Sequence, residues 1–129
     1  MIEQREPMLP GDLASAAVYR KRYVFAEIVA RQDHFRRDFL GWLSANYSVW
    51  LAFEREADRV WDRGRRHYSA RTIGEYLRHE SALRETQNEH GWKLSDWWWP
   101  DLARLYMLLH PERTGFFETR VNPLSKRAA

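Results

Sequence analysis

The sequence contains no cysteine among its 129 residues, and it has no long apolar run. The missing cysteine excludes disulfide bonds, thiolate catalysis and cysteine-based zinc sites, and it is typical of a reducing compartment. No stretch approaches the ~20 apolar residues that span a bilayer. The N-terminal segment has mixed charge and no apolar core, so it does not resemble a signal peptide. We therefore expect a cytoplasmic protein with no membrane partner.

Catalytic and cofactor-binding motifs are also missing from the sequence. It has no GxGxxG, GxxxxGK[ST], HExxH or GxSxG pattern, and its five histidines are widely separated. His79, Glu80 and His90 could in principle collect a metal ion, but surface histidines near helix ends are the favoured interpretation because ligand spacing is missing. We assign no catalytic residue, no cofactor and no metal site. We therefore favour a binding protein, and an enzyme that these motifs do not reveal is the least favoured alternative.

Length and apolar periodicity predict one mainly α-helical domain. Residues 1–11 hold two prolines and a glycine and are predicted to be a flexible arm, whereas residues 122–129 are predicted to be a polar tail. The domain between them, residues 12–121, consists of N-terminal helices over 12–45 and a core over 46–121.

The N-terminal part is predicted to contain two helices. Asp12 is a suitable N-cap for the first, which ends near Gln32. Asp33 is a suitable N-cap for a short second helix. That helix is expected to break at Gly41 or at the polar run 44–46.

The clearest helix covers residues 48–63, with Phe53 in its apolar stripe and Gly64 at its C-terminal end. The next helix is expected to begin after Ser69, a good N-cap, and to bury three residues: Ile73, Tyr76 and Leu77. The pattern leaves open whether residues 70–87 form one helix or two.

The last helix is expected to begin at Pro100, to bury Leu105 and to stop before Pro111. Residues 92–94 and 116–121 are predicted to pair as a minimal β-hairpin. A helix, a turn, a capped helix and a hairpin follow one another in winged helix-turn-helix proteins, so the fold is predicted to be winged-helix-like.

A basic stretch is the first candidate binding site. Arginines cluster around a predicted helix–turn–helix junction, where guanidinium groups and helix N-terminal amides can meet a phosphate backbone. The nucleic-acid-binding residues are predicted to be Arg63, Arg65, Arg66, Arg71 and Arg78. The alternative is a solvated turn whose arginines neutralise the C-terminal end of the preceding helix.

Three consecutive tryptophans form the second candidate site. Side chains at three successive positions cannot all point into one core. Trp99, next to the last helix, is expected to pack inward, while Trp97 and Trp98 are predicted to bind a protein partner or a second copy. The alternative is that the helix over 12–32 covers all three.

Residues 46–120 resemble small uncharacterised proteins encoded in bacterial genomes and in their phages or prophages. The resemblance is carried by YSARTI-x-E-x-LR at Tyr68–Arg78 and by LARLYM, HPE and FFETR within Leu102–Arg120. It implies a phage-related bacterial setting and supplies no activity, cofactor or catalytic residue.

The sequence therefore predicts a non-enzymatic binding module of phage or prophage type that binds nucleic acid or has a regulatory role. The alternative is a protein-interaction module, such as a phage-encoded modulator or inhibitor of a host complex. That module would act through Trp97 and its neighbours up to Trp99.

Overall fold

The computed structural model describes residues 13–84 and 96–119. The chain divides into two units, one up to Gln32 and the other from Asp33 onward. The first unit contains helix α1 (Leu13–Ala30), which agrees with the first predicted helix. The predicted arm, the Asp12 cap and the polar tail lie outside the described residues.

The second unit begins with a short helical region that differs from the prediction. Asp33 lies in a 3₁₀ turn, Gln32–His34, and helix α2 (Phe39–Ala45) begins only after Asp38. Asp38 adopts the left-handed conformation, with φ of 73°, which aspartate tolerates better than most residues. Of the two predicted breaks, the one at the polar run 44–46 is confirmed, because α2 ends at Ala45. Gly41 lies inside α2 with open space beside its Cα.

Helix α3 (Tyr47–Asp62) confirms the helix predicted over residues 48–63, and it ends before Gly64 as predicted. Gly64 has a φ of 97°, and its N–H donates to the carbonyl of Trp61 at 2.9 Å. The N–H of Arg65 reaches back to the carbonyl of Val60 at 3.4 Å. These two bonds form a Schellman motif, which fixes the direction in which the chain leaves α3.

Helix α4 (Ala70–Arg84) is one continuous helix across all of its described residues. The Ser69 hydroxyl accepts a bond from the N–H of Thr72 at 3.1 Å, so the predicted N-cap is confirmed. Tyr76 was expected to point inward and does not, since it is 41% exposed. The buried face contains Ile73, Gly74, Leu77 and Ser81, and Tyr76 lies outside it.

Helix α5 (Trp99–Leu109) completes the core of the second unit. Phe53 of α3 and Leu105 of α5 are both fully buried, as the sequence predicted. The core is rich in rings: Phe53 and Tyr106 each lie 5.5 Å from Phe117, measured between ring centroids. The mainly α-helical fold is therefore confirmed.

The predicted hairpin is described only in part. Residues 92–94 lie outside the described residues, and residues 116–119 form no strand. Instead, Phe117 makes an isolated parallel bridge with Tyr68, whose N–H donates to the Phe116 carbonyl at 2.9 Å. This bridge connects the segment after α5 to the segment between α3 and α4.

Candidate functional site

The α3–α4 turn, which we define as residues 63–69, presents three exposed arginines: Arg63, Arg65 and Arg66. Within residues 13–84 and 96–119, none of the three forms an ion pair with a carboxylate. The Schellman end of α3 and the Ser69 cap of α4 hold the turn at both ends. Among the described residues, the turn is therefore a compact patch of positive charge whose arginines have no ion-paired carboxylate.

The Arg66 side chain packs against the C-terminal end of α3. Its guanidinium lies 3.9 Å from the ring centroid of Trp61, and its Nη1 donates to the carbonyls of Trp61 and Arg65 at 2.9 and 3.1 Å. Arg66 thus satisfies the C-terminal end of α3, as the alternative interpretation expected. Both bonds come from one nitrogen, so the N–H groups on the other two nitrogens remain as donors for a ligand.

Arg71 and Arg78, the other two predicted nucleic-acid residues, lie in a different electrostatic setting. Asp96 accepts from Arg71 at 3.3 Å and from Arg78 at 3.1 Å, and Arg71 also bonds Glu75 at 3.2 Å. The bond from Arg78 is the main reason why the pKa of Asp96 is lowered. These carboxylates offset the positive charge of both arginines. Arg71 and Arg78 therefore differ in electrostatic setting from the arginines of the α3–α4 turn.

The three tryptophans differ in burial. Trp99 is 2% exposed, Trp98 is partly buried and Trp97 is 55% exposed. The expected inward position of Trp99 is confirmed. The ring of Trp98 stacks on Trp42 at 5.1 Å and meets the ring of Trp97 edge-on at 6.4 Å.

Arg36 fixes the exposed indole of Trp97. Its guanidinium carbon lies 4.2 Å from the centroid of the Trp97 ring, and its Nη1 donates to the Trp97 carbonyl. The two residues are 61 positions apart in the sequence. A cation over an aromatic face is attractive, so Trp97 is held in place while much of its surface remains exposed.

A groove of about 1790 Å³ runs beside Trp97. Its apolar lining includes Trp98, Met107, Phe116 and Phe117. The charged groups around it are four arginines and three carboxylates: Arg36, Arg37, Arg71, Arg104, Asp38, Asp96 and Glu118. Its lining also includes His67, the residue that follows Arg66 in the α3–α4 turn.

A buried carboxylate, Asp101, supports one side of this groove. It has no exposed surface; its Oδ1 accepts the backbone N–H of Arg36 at 3.0 Å and a bond from Arg104 at 3.4 Å. Its Oδ2 has no hydrogen-bond partner among the described residues. Burial raises the pKa of Asp101 despite these two arginines. Asp101 anchors the loop before α2 to the first turn of α5.

A second polar network joins α3 to α5. Asp58 accepts from the Tyr106 hydroxyl at 2.7 Å and from Arg113 at 2.8 Å, and Arg113 also donates to that hydroxyl. Burial is the main reason why the pKa of Tyr106 is raised. Nearby, His110 bonds the Glu54 carboxylate at 2.8 Å. These bonds link side chains of α3 to α5 and to Arg113 just after it, so we interpret the network as a clamp on the two helices.

The described residues contain no group of three or more histidine, cysteine or acidic side chains arranged to hold a metal ion. His90, part of the one metal set considered from the sequence, lies outside them. No helix within residues 13–84 and 96–119 is long and apolar enough to cross a bilayer.

Sequence reasoning missed several residues of this surface, namely Arg36, Arg104, Asp96 and Asp101. Three of them have partners distant in sequence; Arg36, for example, is 65 positions from Asp101. Arg104 instead bonds Asp101 from three positions away. The adjacent pair Arg36–Arg37 was the one local signal of positive charge there. No family model, curated protein or solved structure matches this chain.

Proposed function

We propose that this protein is a non-enzymatic binding module that contacts the phosphates of a nucleic acid through the α3–α4 turn. The observation that carries the proposal is that Arg63, Arg65 and Arg66 form no ion pair with a described carboxylate, whereas Asp96 pairs with Arg71 and Arg78. Arginine suits this role because its planar guanidinium binds phosphate in a bidentate manner.

The location of the positive charge supports this proposal more than the net charge of the chain does. The formal net charge of the chain is only +3, which many proteins that never bind nucleic acid share. Capped ends on both helices hold the turn, so its arginines already form a local patch. Ligand binding therefore needs no large change in backbone conformation. A preformed patch loses less conformational entropy on binding than a flexible one.

A binding titration with labelled single-stranded and duplex DNA at low salt tests the proposal. The double variant Arg65→Ala/Arg66→Ala should bind more weakly than the parent. The matched control Arg22→Ala/Arg55→Ala removes the same charge from exposed positions outside the turn and should bind almost as well as the parent. Equal loss of binding in both variants would mean that total charge, and not the turn, attracts the nucleic acid.

A second candidate function is a protein-interaction module acting through Trp97 and Trp98. The exposure of Trp97, at 55%, favours it, because tryptophan and arginine are enriched at interface hot spots and Arg36 lies on this indole. Sedimentation of the parent and of Trp97→Ala tests self-association. An oligomer that the substitution dissociates would support this candidate.

The proposal extends to a winged-helix arrangement in which α3, the α3–α4 turn and α4 form the helix-turn-helix. The wing would need residues 92–94, which lie outside the described residues. A phage or prophage setting rests on the resemblance of residues 46–120, and a cytoplasmic location rests on the cysteine-free sequence.

A further inference from the structure

We propose that Trp97 and the groove beside it bind unpaired bases, so that the preferred ligand is a single-stranded nucleic acid. This inference rests on the proposed function, because it names the class of nucleic acid whose phosphates contact the α3–α4 turn. In this arrangement the α3–α4 turn binds the phosphates of the ligand, and the aromatic surface formed by Trp97 and the groove binds its bases.

The first argument is the preorganisation of Trp97. Arg36 lies over its ring and bonds its carbonyl, and Trp98 supports its edge while itself stacking on Trp42. An indole that is fixed and 55% exposed loses little conformational entropy when a flat ligand stacks on it. Every base offers a flat π-face, so this mode of binding tolerates any sequence.

The second argument is the charge balance of the groove. Three carboxylates in the lining, together with the buried Asp101 behind Arg36 and Arg104, offset the four lining arginines. A row of phosphates would gain little from such a balanced surface, whereas neutral bases suit it. The unbalanced positive charge lies at the α3–α4 turn, so phosphates are expected there and bases in the groove.

The third argument is continuity along the chain. His67 and Tyr68 line the groove and follow Arg66 directly, so the basic turn leads into the aromatic surface. In a duplex the base faces are stacked on one another and cannot reach an exposed indole. A single strand can place its phosphates on the turn while one base stacks on Trp97.

The test compares the affinities of a short labelled oligothymidylate, an abasic strand of the same length, and a duplex of that length. The parent should bind the oligothymidylate most tightly. Trp97→Ala should weaken that binding by about fivefold or more, the loss expected for one stacked base. It should leave the affinity for the abasic strand unchanged, since that strand has no base to stack. Trp97→Phe, which keeps an aromatic face, should recover most of the affinity.

Tyr76→Ala is the matched control, because Tyr76 is an exposed aromatic residue outside the groove and its removal should leave every affinity unchanged. Thermal melting confirms that each variant is folded. Equal affinity of the parent and Trp97→Ala for oligothymidylate would overturn the inference. The proposed function would still stand if Arg65→Ala/Arg66→Ala weakened binding to these strands. Absence of binding to every strand at low salt would overturn the proposed function itself.

Discussion

The indole of Trp99 lies directly on Gly74, in the space that a Cβ would occupy at any other residue type. This contact joins the first residue of α5 to the middle of α4. The Trp99 Nε1 donates to Asp96 at 3.2 Å, so the polar edge of the buried ring is also satisfied. The same contact explains why Gly74 belongs to the buried face of α4.

Gly74→Ala should destabilise the protein although alanine is the better helix former. The propensity gain is about 1 kcal/mol. The new Cβ would overlap the indole, and relieving such overpacking typically costs about 1–3 kcal/mol. Gly41→Ala is the control, since Gly41 lies inside α2 with nothing near its Cα and should gain up to about 1 kcal/mol. Chemical denaturation measures both free energies, and stabilisation by both substitutions would contradict the contact.

Phe53→Ala should lower the free energy of unfolding by about 3–5 kcal/mol, and Leu105→Ala by about 2–5 kcal/mol. Both side chains are fully buried, so each substitution leaves a cavity in the core of the second unit. Because small domains have a total stability of about 5–15 kcal/mol, either variant should melt well below the parent. Melting within a degree or two of the parent would show that these residues are not central to the core.

Asp101 should make the free energy of unfolding depend on pH. Its pKa is raised above the ordinary value of 3.8, so the folded state holds this proton at a pH where the unfolded chain has lost it. This contribution to stability is therefore present at low pH and is lost as the pH rises through the folded pKa.

Asp101→Asn keeps an oxygen that can accept the Arg36 N–H but removes the titration. The stability of the parent relative to Asp101→Asn should therefore fall as the pH rises from the ordinary value through the raised pKa. Urea denaturation across that range gives the comparison. A relative stability that rises with pH there would mean that Arg36 and Arg104 outweigh the cost of burial.

The sequence predicted those features of the fold that local patterns encode. The periodicity of Tyr47–Asp62, the left-handed glycine at Gly64 and the cap at Ser69 depend on residues a few positions apart. Such features follow from helix geometry alone, and the structure confirms them. The start of α2 was missed because Asp38 adopts the left-handed conformation there, which no periodicity reveals.

The candidate functional site could be predicted only in part, because contacts between residues distant in sequence determine its charge and exposure. The density of arginines was visible in the sequence, but Asp96 offsets Arg78 from 18 positions away. Likewise, three adjacent tryptophans indicated that not all could be buried, yet the partners of Trp97 and Trp99 come from other elements. The prediction that Tyr76 points inward was wrong because the contact of Trp99 with Gly74 shifts the buried face of α4.

The measurement that tests the central claim most directly is the salt dependence of binding to oligothymidylate. Three phosphate contacts, from Arg63, Arg65 and Arg66, predict a log–log slope of about −2.1, since each contact on a single strand contributes about −0.7. Arg65→Ala/Arg66→Ala should reduce the slope to about −0.7, and the Arg22→Ala/Arg55→Ala control should keep the parent value. A parent slope near zero, or one that the turn variant leaves unchanged, would contradict phosphate binding by the α3–α4 turn.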